Sequence, residues 1–115
     1  MKNIPIWEQS VNFVFICCMR VLSKSTLRAF WVKHPDSIQA LRAWHREVES
    51  HQWKNINEIK LRYPNISIIQ NNRLVFNIKG NHYRLVAKFN FDYKMVLIRF
   101  IGTHAEYDKI DANTI

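Results

Sequence analysis

Between Arg73 and Ile101 apolar and polar residues alternate with a period of two, the pattern of β-strands with two unlike faces. Successive strand side chains point to opposite sides. In the first run, Leu74, Phe76 and Ile78 therefore share one face, and Arg73, Val75 and Asn77 the other. In the second, Tyr83, Leu85, Ala87 and Phe89 oppose His82, Arg84, Val86, Lys88 and Asn90. In the third, Val96, Ile98 and Phe100 oppose Met95, Leu97, Arg99 and Ile101. Paired as a meander, the three runs give one nearly apolar face and collect Arg73, His82, Arg84, Lys88 and Arg99 on the other. Gln70-Asn71-Asn72, Lys79-Gly80-Asn81 and Phe91–Lys94 supply the turns; Gly80 and Asn81 tolerate the positive φ of a tight hairpin.

Upstream the period changes to that of helices. Arg20–Leu22 reads as a short first strand, and Ser23 or Ser25 as the N-cap of a helix carrying Leu27, Phe30 and Trp31. Pro35 ends it, because the residue before a proline avoids the α region. Asp36 or Ser37 caps the next helix, whose Ile38, Leu41, Trp44 and Val48 form an apolar stripe opposite Arg42, Arg46, Glu47 and Glu49. Trp53, Ile56, Ile59 and Tyr63 mark a third short helix closed by Pro64, and Ile66–Ile69 a further strand. The expectation is an α+β domain in which these helices cover the apolar face of the sheet.

Composition sharpens this picture. A chain of 115 residues, 48% hydrophobic and 13% aromatic, suits one domain with a real core. Its formal net charge is +8, which favours an acidic partner such as nucleic acid, an anionic surface or an acidic protein. The five bases on the polar sheet face have no acidic neighbour there, whereas a merely soluble surface would mix both signs. Adjacent Cys17 and Cys18 make neither a CxxC pair nor a disulfide framework, and the 5 His and 2 Cys lack zinc-ligand spacing. With 2 Gly in the chain there is no phosphate-cradling glycine loop. A reducing cytoplasm is the simplest compartment. Residues 1–18 differ from the rest. Val11–Met19 is an apolar run far shorter than the roughly 18 residues of a membrane span, and it lacks signal-peptide features. It reads as an edge strand, a disordered or membrane-touching tail, or the product of a misplaced start. The last is favoured, because Met19 opens a sequence that reads as a natural beginning. The domain is then 19–115.

The chemistry is concentrated after the third run. Thr103-His104-Ala105-Glu106 has the form of a capping box, with Thr103 accepting the Glu106 N–H and Glu106 reaching back to the Thr103 amide. Gly102 lets the strand turn sharply into it. His104 then stands in the first helical turn, with Tyr107 and Asp108 three and four residues on, on the same side. Asp108 is placed to orient the imidazole. The carboxylates show no cluster of the kind that holds Mg²⁺, which argues against a two-metal nuclease. RNA offers another route, attack of its own 2′-OH on the adjacent phosphate. This needs a base, an acid and positive charge for the phosphorane oxygens. Arg84, Arg99, His104 and Tyr107 suffice in kind as catalytic groups, with Arg73, His82 and Lys88 as RNA-binding groups. A non-catalytic basic RNA- or DNA-binding module is the competing reading. Such a binder needs no acid–base group and more often stacks bases on exposed aromatics. A membrane-surface protein is a third, resting on residues 1–18 alone.

The segments VFNIKGNHYRLVAKF and IRFIGTHAEYDKID, with HPDSIQALRAW and NINEIKLRYP upstream, resemble the HigB toxins of the RelE-like superfamily. The likeness covers about Met19 to Asp111, and the GNxYRL and GTHxEYDKID motifs are specific. It implies a RelE-like fold, a small antiparallel sheet with N-terminal helices on one face and a short C-terminal helix. It implies an mRNA interferase that cleaves mRNA, typically on the translating ribosome, without metal or other cofactor. A HigA-like helix-turn-helix antitoxin would be its partner. Arg84, Arg99, His104 and Tyr107 carry over by motif; residues 1–18 have no counterpart in the family pattern.

Overall fold

The computed structural model describes residues 19–115, so the expectations for residues 1–18 lie outside it. Strand β1 (Arg20–Leu22) leads into α1 (Lys24–Lys33), a 3-10 turn (Pro35–Ser37), α2 (Ile38–Ser50) and α3 (Ile56–Arg62). Then come β2 (Ser67–Ile69), β3 (Arg73–Ile78), β4 (Tyr83–Asn90), β5 (Met95–Thr103) and α4 (His104–Tyr107). The sheet order is β1-β5-β4-β3-β2. Neighbours are antiparallel except β1, which lies parallel to β5 with Val21 opposite Val96. The parallel strand follows from its connection, since the helices between β1 and β2 allow it to join the far edge.

The three helices cover the apolar sheet face, as the stripes require. Leu27 and Phe30 of α1, Leu41, Trp44 and Val48 of α2, and Ile59 of α3 meet Leu74, Phe76, Leu85, Ala87, Phe89, Val96 and Ile98 in one cluster. Aromatic edges organise its centre. The Phe76 ring lies 5.4 Å from Trp44 and 5.2 Å from Tyr63, both edge-on, and 6.2 Å from Phe89. At the edge of that cluster the Tyr63 hydroxyl donates to Glu47, which also pairs with Arg62. Burial and the neighbouring Glu47 carboxylate both push the Tyr63 phenol above its ordinary range.

Local details differ from the sequence expectation where backbone conformation outweighs residue type. Ser23 is the N-cap of α1 but sits at φ 69° with no side-chain cap bond. Ser37 precedes α2 and donates its hydroxyl to the His34 carbonyl, 2.7 Å, rather than capping. Asp36 also caps nothing; it accepts from Tyr83 at 2.6 Å and Lys79 at 3.0 Å, joining the end of α1 to the β3–β4 hairpin. In that hairpin the positive φ angles belong to Lys79 (52°) and Gly80 (64°), not to Asn81. The turn before β3 does place Asn71 and Asn72 at φ 60°, where asparagine is tolerated.

The largest departure is in β5. Val86 pairs with Phe100 and Ala87 with Ile98, so Arg99 is an extra residue in the β5 ladder, a β-bulge. One extra residue reverses the alternation beyond it. Val96 and Ile98 face the core as expected, but Ile101, opposite Leu85, now packs on the core in place of Phe100. Phe100 turns instead to the face of Val86 and Arg84. Arg99 keeps its expected side, because the two residues of a bulge share one partner residue.

Candidate active face

The second sheet face is less open than strand alternation suggests. Val75 and Val86 are 1% and 0% exposed, yet neither belongs to the helix-covered core. The chain after α4 crosses this side. Gln70 donates its N–H to Asn113 Oδ1 at 3.4 Å, and the Ile115 carbonyl accepts from Arg73 Nε at 2.9 Å and from Arg99 Nε at 3.4 Å. Arg73, an RNA-contact candidate, is therefore 8% exposed and held under the C-terminal segment. Lys88 pairs with Arg73 across β3 and β4 and is half-buried. His82 lies just outside β4, exposed, with Nδ1 2.8 Å from the Lys79 carbonyl, so its ring belongs to the hairpin.

Arg84 occupies the middle of the sheet, between Asn77 of β3 and Gly102 of β5. Its guanidinium carbon lies 5.6 Å from the centroid of the Tyr107 ring, within cation–π range. Its Nε is buried and has no acceptor among the described residues. A buried donor left unbonded costs about 1–3 kcal/mol, so this N–H is left for water or a ligand. Phe100 completes the group, its ring 6.3 Å from Tyr107. Gly102 does not take a left-handed backbone, so its part is closeness rather than the sharp turn expected of it. A Cβ there would meet the Phe100 ring and the Glu106 carboxylate, each at 2.7 Å.

The capping box forms in full. Thr103 Oγ1 accepts the Glu106 N–H at 3.1 Å, and Glu106 Oε1 accepts the Thr103 N–H at 2.8 Å. It fixes the start of α4 against the exit of β5 and so sets where His104 and Tyr107 stand. Tyr107 leans over Arg84. His104 is half exposed, and its Nδ1 lies 3.4 Å from Asp108 Oδ2, the partner expected from their spacing. The structure thus joins Tyr107 to Arg84, and Arg99 to Arg73 through the tail. It places Asp108, the residue just past α4, beside His104.

The bond from the Thr103 amide holds the Glu106 carboxyl below its ordinary value of 4.5. A depressed carboxylate stabilises the fold above its unfolded pKa, and that contribution fades as pH falls through the folded value. Thermal unfolding should therefore find Glu106→Gln less stable than the parent chain at neutral pH, with the two converging as pH drops below about 4.5. A gap independent of pH would show that the carboxylate charge plays no part in the box.

The placement of Phe100 and of the C-terminal segment on this face is what the strand pattern missed. For Phe100 a signal was present: strict alternation left Leu97 and Ile101 both on the basic face, an apolar excess that one bulge relieves in part.

A mostly antiparallel sheet backed by helices on one face and ending in a capped one-turn helix is compatible with a RelE-like α+β fold. The pattern of the HigB toxin family, the RelE-like toxic component of a toxin–antitoxin system, matches residues 37–110. The chain belongs to that family. It is similar to the mRNA interferase HigB of Escherichia coli O6:H1 strain CFT073, 29% identical over 94 residues that cover 80% of this chain and 91% of the relative. It is also similar to the mRNA interferase toxin HigB of Escherichia coli K12, 27% identical over 92 residues covering 78% and 88%. The mRNA interferase HigB of Shigella flexneri stands at the same identity and coverage.

Proposed function

We propose that this toxin is an endoribonuclease that cleaves mRNA on the translating ribosome without a metal ion. The observation that carries the reading is Arg84, held under Tyr107 with an unspent buried donor on the face away from the core. Relatives named mRNA interferases support the substrate. In the proposed step the RNA 2′-oxygen forms a bond to the adjacent phosphorus while its proton passes to a base. The bond from phosphorus to the 5′-oxygen breaks, and an acid protonates that leaving oxygen. The products are a 2′,3′-cyclic phosphate and a 5′-hydroxyl. Arg84 and Arg99 offset charge on the phosphorane oxygens, and His104 and Tyr107 serve proton transfer. Lys88 extends the positive surface for the strand, with His82 at the hairpin end, whereas Arg73, buried under the C-terminal segment, is withdrawn from it and steadies that segment instead. Among the described residues no group of three His, Cys, Asp or Glu side chains is placed to hold a metal ion, and no helix among them is long and apolar enough to cross a membrane.

The test is cleavage of a translated mRNA in the presence of a chelator, with and without ribosomes, followed by analysis of product ends. Cyclic or 2′/3′-phosphate ends that persist without divalent ions are expected. Products with 3′-hydroxyl ends that vanish with the chelator would overturn the mechanism. A protein that binds RNA but leaves it intact would favour the non-catalytic binding module.

The toxin–antitoxin family implies an antitoxin partner, and charge suggests how it is captured. With a net charge of +8, the toxin is expected to be neutralised by an acidic segment of a HigA-like helix-turn-helix antitoxin. That segment would lie on or obstruct the basic face. Their association rate should fall at least about tenfold as salt rises from 10 mM to the order of 1 M. A rate indifferent to salt in stopped-flow mixing would count against electrostatic capture.

A further inference from the structure

Phe100 is a large aromatic side chain without a place in the core. It neither belongs to the helix-covered cluster nor packs against it, whereas its neighbour Ile101 does. The bulge at Arg99 is what separates them, turning Arg99 and Phe100 to the same basic side of the sheet. There the Phe100 ring approaches Tyr107, 6.3 Å between centroids at 55°, and Tyr107 in turn covers Arg84. Gly102 makes the room, because a Cβ at that position would lie 2.7 Å from the ring. The ring is half-buried rather than enclosed. An aromatic surface on a face that also carries Arg84 and Arg99 is what a single RNA strand needs, since every base has a π face to stack while cations hold the phosphates.

We propose that Phe100 contacts RNA directly, its ring stacking on a nucleobase next to the phosphate held by Arg84 and Arg99. This rests on the nuclease reading above and deepens it by naming the group that seats the base. The bulge then has a purpose. A regular β5 would bury the ring in the core and leave the arginines with a phosphate but no base.

Two measurements test this separately from cleavage and together with it. The first is the affinity of the protein for uncleavable 2′-O-methyl RNA, intact or carrying abasic nucleotides, read by fluorescence anisotropy. Loss of one stacked base should weaken wild-type binding by roughly 5- to 100-fold. Phe100→Ala should show that loss already on intact RNA and little more on abasic RNA, and Phe100→Tyr should restore binding. The second is cleavage of short mRNAs, free and ribosome-bound. Phe100→Ala should raise KM by a similar factor, with a smaller change in kcat at saturating RNA. Thermal unfolding checks that the variants are folded, and Phe100→Leu supplies a conservative aliphatic variant should Phe100→Ala unfold. Equal sensitivity of wild type and the folded variant to abasic nucleotides would overturn the proposal while leaving a nuclease intact. Base-dependent binding that requires Phe100, without cleavage of any RNA, would instead remove the nuclease reading and keep the stacking role. A variant that loses antitoxin affinity but keeps its RNA affinity and KM would assign the ring to the protein partner and refute the RNA contact.

Discussion

Arg84→Ala is expected to lower the rate of mRNA cleavage by about 100- to 1,000-fold while barely moving the unfolding midpoint. The separation comes from position. Arg84 sits at the centre of β4, but on the side away from the helix-covered core, so its removal opens no core cavity. It takes away a guanidinium held under Tyr107 whose Nε has no acceptor among the described residues. That charge is fixed in place before substrate arrives, and preorganised charge is where such sites derive most of their rate. Arg99→Ala should act in the same direction from the bulge. His104→Ala should cost about 100- to 10,000-fold if the imidazole moves a proton. Single-turnover cleavage on ribosome-bound mRNA measures all three, with growth arrest on induction as the cellular readout. Wild-type cleavage by Arg84→Ala would sink the proposed site. Wild-type cleavage by His104→Ala alone would leave His104 as a helix-start residue paired with Asp108, and pass proton transfer to Tyr107 or Lys88.

Phe76→Ala should fail for the opposite reason, losing about 3–5 kcal/mol of folding stability. Phe76 is fully buried at the meeting point of sheet and helices, with its ring against Trp44, Tyr63 and Phe89. Truncation leaves a cavity among three large rings, which interdigitated neighbours fill poorly. Typical domains hold only about 5–15 kcal/mol in total, so much of the toxin would be unfolded or degraded in cells, and arrest would weaken without any change at the site. Equilibrium denaturation measures the loss directly. A shift below about 1 kcal/mol would mean that the helices repack over the gap. Phe76→Leu, which keeps most of the volume, should fall well short of the alanine loss.

The layered architecture was legible in the residues, because the interactions responsible are local and periodic; the family was legible separately, as a resemblance carried by the GNxYRL and GTHxEYDKID segments. Alternation in β3 and β4 marks a two-faced sheet, the stripe Leu41, Trp44 and Val48 marks its cover, and Thr103 with Glu106 marks the start of α4. Each depends on residues a few positions apart, so sequence spacing is enough to read it. The charge of +8 likewise needs no fold. What only the tertiary structure decided are events between distant segments. The bulge at Arg99 exists in the pairing of β5 with β4, not in β5 alone, and it sent Phe100 to the face away from the helices and Ile101 to the core. Parallel pairing of β1 with β5 joins residues some seventy-five positions apart (Arg20 with Met95). The burial of Arg73 under the Ile115 carbonyl depends on a tail whose path no periodicity records. Alternation tells on which side of a strand a side chain leaves, but strand partners set whether the count is kept, and chain crossing above the sheet sets whether that side meets water.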